Sequence, residues 1–281
     1  RELHPEARRQ RQMCIRDRHW KIEAQLEIRK IMAVLRKDKY DRIAAELSDV
    51  LLRNWDKATK EAIKNVIRGI KGREPFTASE LESTLQALSA RLGPGFANRV
   101  AAPLFELQTS TYGNGLKDIV QVSPTFNQID NKAIAALEQH NIFWVREFWD
   151  RQLGEQVKEI GQSALKDGLT RRDAGKLFQD AFADRFQQYG IRYWQGFATH
   201  VITRSRELGR VSGYERSRAT EIEIRAILDH RTTPICREMH GRVFKVGDAI
   251  KLRDSIINAE TPEDVVSIAP WMKPEQVQGK K

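Results

Sequence analysis

A mainly α-helical chain with a small C-terminal antiparallel β-element (α+β) and a helical N-terminal region is the fold class that this sequence predicts. Two observations carry it. Apolar residues recur at three- and four-residue spacing through most of the 281 positions, and only 9 residues are Pro, which is the pattern of successive amphipathic helices. After Arg218 the period changes: residues 221–226 (EIEIRA) and 241–246 (GRVFKV) alternate polar with apolar, as half-buried strands do. A hydrophobic content of 40% is enough to bury a core, while the 31% of charged residues covers solvated helix faces.

Taken in order, residues 13–18 read MCIRDR, the translation in one frame of a transposon-end adapter used in sequencing libraries. Residues 1–18 are therefore expected to be a non-native segment outside the fold. Their six Arg and three acidic residues account for +3 of the formal +10 charge, so the remaining chain keeps +7. A helical region is expected over 19–129. Ile28, Ile31, Leu35, Ile43, Leu47, Val50 and Leu51 mark amphipathic helices between Trp20 and about Arg53, and a separate stretch runs from Trp55 to Ile70 before Lys71-Gly72. Thr77 and Glu80 form a T-x-x-E capping box for a helix that Gly93-Pro94-Gly95 stops. In 96–130, Pro103, Gly113, Gly115 and Pro124 interrupt the period, which reads as a helix followed by a mixed connector.

Helical spacing resumes with Ile134, Leu137, Trp144, Val145 and Phe148 and continues through Leu153, Val157, Ile160 and Ala164, as two helices or one bent one. Gly168 suits the C′ position, and Thr170 with Asp173 suits a cap for a helix through Leu177, Phe178 and Phe182. The next helix, about 192–216, aligns Trp194, Phe197, Val201, Ser205 and Leu208 on one face. Beyond the two strands, 248–258 reads as a helix, and Thr261-Pro262-Glu263-Asp264 opens another with an N-cap, an N1 proline and an acidic first turn. The tryptophans at 20, 55, 144, 149 and 194 are expected to be core or interface anchors rather than base-stacking platforms.

Between the strands lies Asp229 to Phe244, DHRTTPICREMHGRVF. Asp229 at a strand end suits an Asx-turn, Arg231 can pair with it or reach an acidic partner, Thr232 or Thr233 can cap the helix that Pro234 begins, and Gly241 can make the turn into the return strand. A structural clasp is one reading of these residues. The other is a metal site: Cys236 and His240, four apart, share a face if both are helical, and Asp229 or His230 can approach from the loop. A stable zinc site needs four ligands and only two are well placed, so no cofactor is expected, with Cys236 and His240 the zinc candidates.

This segment resembles the signature of the phage Mu F-like head-morphogenesis family, whose strand ends in Asp-x-Arg-Thr, followed by a Pro-x-Cys step, a short helix, and Gly before a strand. Asp229, Arg231, Thr232, Pro234, Cys236 and Gly241 match it position by position, and His240 stands within it. The resemblance extends over residues 164–175 (ALKDGLTRRDAG) and Thr203-Arg204, covering about 130–250 as the family domain, with 251–281 a helical tail expected to be cut short. It implies a minor capsid or portal-associated protein that assembles by binding phage portal or capsid proteins, located in the virion head and the bacterial host cytoplasm. Members of the family often carry a second Cys before the Pro-x-Cys step and a later Pro-Pro-x-His-x-x-Cys-Arg segment. Thr233 stands at the first position, and no His or Cys follows His240.

Other functions weigh less. The +10 charge and a row of Arg206, Arg210, Arg216 and Arg218 with Thr199 and Thr203 suggest phosphate contacts to double-stranded DNA, although Glu207 and Glu215 dilute that face. Glu221 and Glu223 superficially resemble the acidic pair of ADP-ribosyltransferase toxins, but strand alternation explains them. No G-x-x-x-x-G-K-[ST], H-E-x-x-H or G-x-S-x-G motif is present, and no apolar run reaches the roughly 20 residues of a membrane span. The reading is a binding protein and not an enzyme. Two cysteines, Cys14 and Cys236, do not make a disulfide framework.

Overall fold

The computed structural model describes residues 39–121, 125–183, 187–226, 228 and 232–268. The expectations for 1–18, for a helix starting at Trp20, for the tail beyond 268, and for Asp229, His230 and Arg231 lie outside these residues. The chain forms two compact units, 1–43 and 44–281. The first is described only over the helical residues 39–43, and the account below concerns the second.

Within it, helix α1 runs over 44–69 without a break, which corrects the separation expected at Arg53–Trp55. The cause is a single buried stripe, Leu47, Leu51, Trp55, Ala58, Ala62 and Val66, spaced so that each residue falls on the same side of the helix as the last. Helix α2 (Ala78–Leu92) starts at Thr77 with the expected reciprocal capping box to Glu80 and stops at Gly93. Pro94 then opens helix α3 (Pro94–Val120), 27 residues long. Here the sequence reading is corrected again: Pro103 and the glycines lie inside one helix, and the chain leaves it only at Gln121, which takes a left-handed φ of 57°.

Gly115 of α3 serves close packing. A Cβ at Gly115 would collide with the Arg206 carbonyl oxygen of α7 (Gln187–Arg216), and one at Gly209 of α7 would collide with the Tyr112 carbonyl oxygen of α3. At Gly213, a Cβ would sit 2.7 Å from the Ile119 Cβ. Backbone meets backbone along this pair, which makes an extensive contact.

Helix α4 (Gln128–Phe148) passes through a π-helical turn (Trp149–Gly154) into α5 (Glu155–Lys166), so the long apolar stretch is one bent path. Gly168 turns the chain with φ 60°, and Thr170 caps α6 (Arg171–Ala181) by accepting the Asp173 N–H. Leu177, expected on the apolar face, is exposed; Ala174, Gly175 and Phe178 are buried instead. At the C-terminal end, β1 (Glu221–Glu223) pairs antiparallel with β2 (Val243–Lys245), Ile222 opposite Phe244, around helix α8 (Pro234–Met239). Helices α9 (Val246–Ile257) and α10 (Pro262–Ile268) follow. The fold is thus mainly α with a two-stranded antiparallel sheet.

One part of the core is aromatic: Trp55, Phe96, Phe148 and Trp194 pack with ring centroids 4.6–5.7 Å apart. Another joins Tyr112, Leu116, Ala133, Ile134, Leu137 and Leu208, with Ile256 and Ile257 of α9 against it. Since α3 and α7 share this core, packing is continuous across the sequence boundary drawn at 129/130. Among the described residues no helix is long and apolar enough to cross a membrane.

Candidate functional site

Of the signature segment, the structure describes Thr232 onward. Thr233, not Thr232, caps α8: its Oγ1 accepts the Cys236 N–H at 3.2 Å, with Pro234 in the first turn. Helix α8 ends at Met239, which is buried, and His240 follows in extended conformation. The expectation that Cys236 and His240 share a helical face is therefore corrected, because His240 has left the helix. Its Nδ1 accepts the Ala226 N–H at 3.1 Å, which ties the end of α8 to the segment that follows β1. Gly241 adopts φ 80° and donates its N–H to the Ile224 carbonyl at 2.8 Å, and the Ile224 N–H is accepted by the Arg242 carbonyl. A side chain at that φ would be strained. Cys236 is an exposed free thiol. Among the described residues, no group of three or more His, Cys, Asp or Glu side chains is assembled to hold a metal. Glu221 and Glu223 are exposed, and Glu223 pairs with Arg225 at 2.7 Å.

The four arginines proposed for phosphate contact meet different fates. Arg206 and Arg210 both reach Glu207 Oε1, at 2.5 and 3.5 Å, and Arg210 also donates to the Tyr214 hydroxyl. Arg216 turns inward to the Asp130 carboxylate and the Thr125 carbonyl. Arg218 is exposed, just past α7, with a left-handed φ of 57°. The structure does not bring them together as an open cationic row. The exposed cations Lys60, Lys64, Arg68 and Lys71 of and just beyond α1 do line one groove of about 510 Å³, with Ile63, Ile67 and Phe182 among its apolar residues.

What the sequence reading missed is a buried polar network at the α3–α4–α7–α9 junction. The Asp130 side chain, 1% exposed, is the N3 residue of an Asn127 capping box. It also accepts from the Tyr112 hydroxyl at 2.8 Å and pairs with Arg216. The Tyr112 hydroxyl lies 2.7 Å from Ser212 Oγ, to which Arg253 donates at 3.1 Å. Arg253, 1% exposed, completes the set with Glu215 and Asp254. Burial, with the neighbouring Asp130 carboxylate, raises the pKa of the Tyr112 phenol. For Arg253, burial opposes the charge, but the hydrogen bonds it donates to Glu215 and Asp254 outweigh it and raise the pKa. Each charge here has a partner, as buried charges require. Through Arg253, α9 locks the strand–helix–strand clasp to the bundle.

A cleft of about 390 Å³ opens between α4, α7 and α10, lined by His140, Asn141, Trp144, Tyr193, Phe197, His200, Arg204 and Val266. Arg151 holds its rim: it lies 5.0 Å from the Trp144 ring and pairs with Glu263 of α10 at 2.6 Å. Inside, Arg204 Nη1 stands 2.6 Å from His140 Nε2. An arginine only donates, so His140 accepts at Nε2 and is the neutral Nδ1–H tautomer. Desolvation, then the charge of Arg204 and the neighbouring His200, push the His140 pKa down to about 3. Comparison with family models, with curated proteins and with solved structures gave no match for this chain.

Proposed function

We propose that this protein is a minor head-morphogenesis protein of a tailed phage or prophage, which acts by binding portal or inner-capsid protein during head assembly and carries out no covalent chemistry. The observation that carries the reading is the order of residues in the DHRTTPICREMHGRVF segment. Its local context supports the reading: a Thr-capped, Pro-initiated helix α8 and a Gly241 turn leading into β2. Ala174 and Gly175, from the second matching segment, are buried on α6. A clasp that is tied down by backbone bonds and by α9 suits a rigid docking element.

The test is co-expression with the portal and major capsid proteins of a tailed phage whose head genes adjoin this gene, followed by size-exclusion chromatography. Co-elution with the portal that is lost on deletion of 229–244 is expected, provided the deleted chain keeps its helical circular-dichroism signal. Elution apart from both partners, or an immunity gene in place of head genes beside this one, would overturn the reading. Nonspecific binding of double-stranded DNA is the second reading, favoured by the exposed row Lys60, Lys64, Arg68 and Lys71. A salt-dependent gel shift distinguishes it.

A further inference from the structure

We propose that the α4–α7–α10 cleft is a binding site for a singly charged carboxylate on an aromatic or apolar frame, with Arg204 as the partner of the anion. Arg204 is half-buried, and among the described residues no carboxylate pairs with it; its hydrogen-bond partner is the neutral His140. Other inward-facing arginines of the fold, Arg216 and Arg253, each take an acid. Desolvation lowers the Arg204 pKa, so the bond to the neutral His140 does not offset the cost of holding this charge. Cations held this way, against the interest of stability, are found where a ligand supplies the missing charge.

The ligand class follows from the lining. His200 is also shifted down, first by desolvation and then by Arg204, and His140 is neutral, so near neutral pH the lining of the cleft offers one cation. That matches a carboxylate, which arginine binds in a two-pronged fashion, and not a phosphate dianion. Trp144, Tyr193, Phe197 and Val266 give apolar walls, with the Tyr193 and Phe197 rings inclined by only 14°. A volume of about 390 Å³ holds a ring system with a short acidic arm. The carboxylate comes either from a free aromatic acid or from an acidic residue flanked by aromatics on a partner chain. This inference does not rest on the head-assembly reading.

Calorimetric titration of the full chain with indole-3-acetate, with its neutral amide, with phenyl phosphate and with the blocked peptide acetyl-Trp-Glu-Trp-amide tests it. The acid or the peptide is expected to bind at least about tenfold more tightly than the amide and phenyl phosphate, and the tighter of the two names the source. Arg204→Met is expected to abolish binding with an unchanged or raised Tm, because it removes an uncompensated charge. Arg204→Lys keeps the charge and the fold, and is expected to bind at least about tenfold more weakly. Equal binding of acid and amide, preference for phenyl phosphate, absence of binding by both acid and peptide, or a Tm of Arg204→Met well below that of the parent chain would each overturn the proposal.

Discussion

At the residue scale, Asp130 and His140 sit on the same helix and show opposite ways of burying a titratable group. The Asp130 carboxylate pairs with Arg216 and accepts from the Tyr112 hydroxyl and the Asn127 N–H. Asp130→Ala strips all three at once and leaves Arg216 without its carboxylate. A loss of about 3–5 kcal/mol in urea unfolding is expected; Asp130→Asn, which can keep the Tyr112 and cap contacts, should lose less. His140, 6% exposed, is instead kept neutral. Its pKa is about 3 in the fold against 6.5 ordinarily, so as pH falls below 6.5 the unfolded chain takes up a proton that the folded chain refuses. The stability due to neutral His140 is full above pH 6.5 and drains away down to about pH 3. His200 is shifted the same way, first by desolvation and then by the charge of Arg204. The Tm of the His140→Asn, His200→Asn double variant should therefore fall less steeply between pH 6.5 and 5 than that of the parent chain. Equal slopes would show that neither imidazole is held neutral.

At the element scale, much of the fold was legible because the signals were local. Thr77, Thr170 and Thr261 each precede an acidic residue by three positions and each caps a helix start, since the bond spans a single turn. The strands were legible by their alternation, although the ladder covers only three residues on each side. The continuity of α1 and α3 was not legible. Pro103, Gly113 and Gly115 carry a local breaking tendency, yet all lie inside α3, and Gly115 packs against α7, nearly a hundred residues later in the chain. The spacing of Gly209 and Gly213 on α7 held the missing clue, because two glycines four apart make one smooth strip of helix. Gly209→Ala is accordingly expected to cost about 1–3 kcal/mol or more, since the new methyl meets the Tyr112 backbone, which has little room to retreat. Gly196→Ala, with open space around its Cβ position in the same helix, should be neutral or stabilising. The same melting experiment run on both variants compares packing with helix propensity directly.

At the scale of the whole molecule, charge and site diverge for one reason: a formal +10 says nothing about where cations are free. The arginines of α7 share a face by their spacing, but pairing is a tertiary property. Glu207, one residue along from Arg206, takes both Arg206 and Arg210, and Asp130 of α4 takes Arg216. The Arg204 cleft was equally hidden, because its walls come from three helices spread over residues 140–266. If the chain meets DNA through charge alone, the contact should fall on the α1 side, where Lys64 and Arg68 are exposed. Lys64→Glu with Arg68→Glu reverses two surface charges that no described ion pair uses, so the Tm should shift by little. Retention of a duplex at about 0.05 M salt should weaken strongly in that variant and vanish even for the parent chain near 0.2 M salt, as expected of counterion release without specific contacts. Arg206→Ala with Arg210→Ala should change retention far less, because Glu207 already neutralises part of both charges. Retention that persists at the higher salt, or that depends on the α7 pair rather than the α1 pair, would place the nucleic-acid contact on α7 and favour DNA over a protein partner.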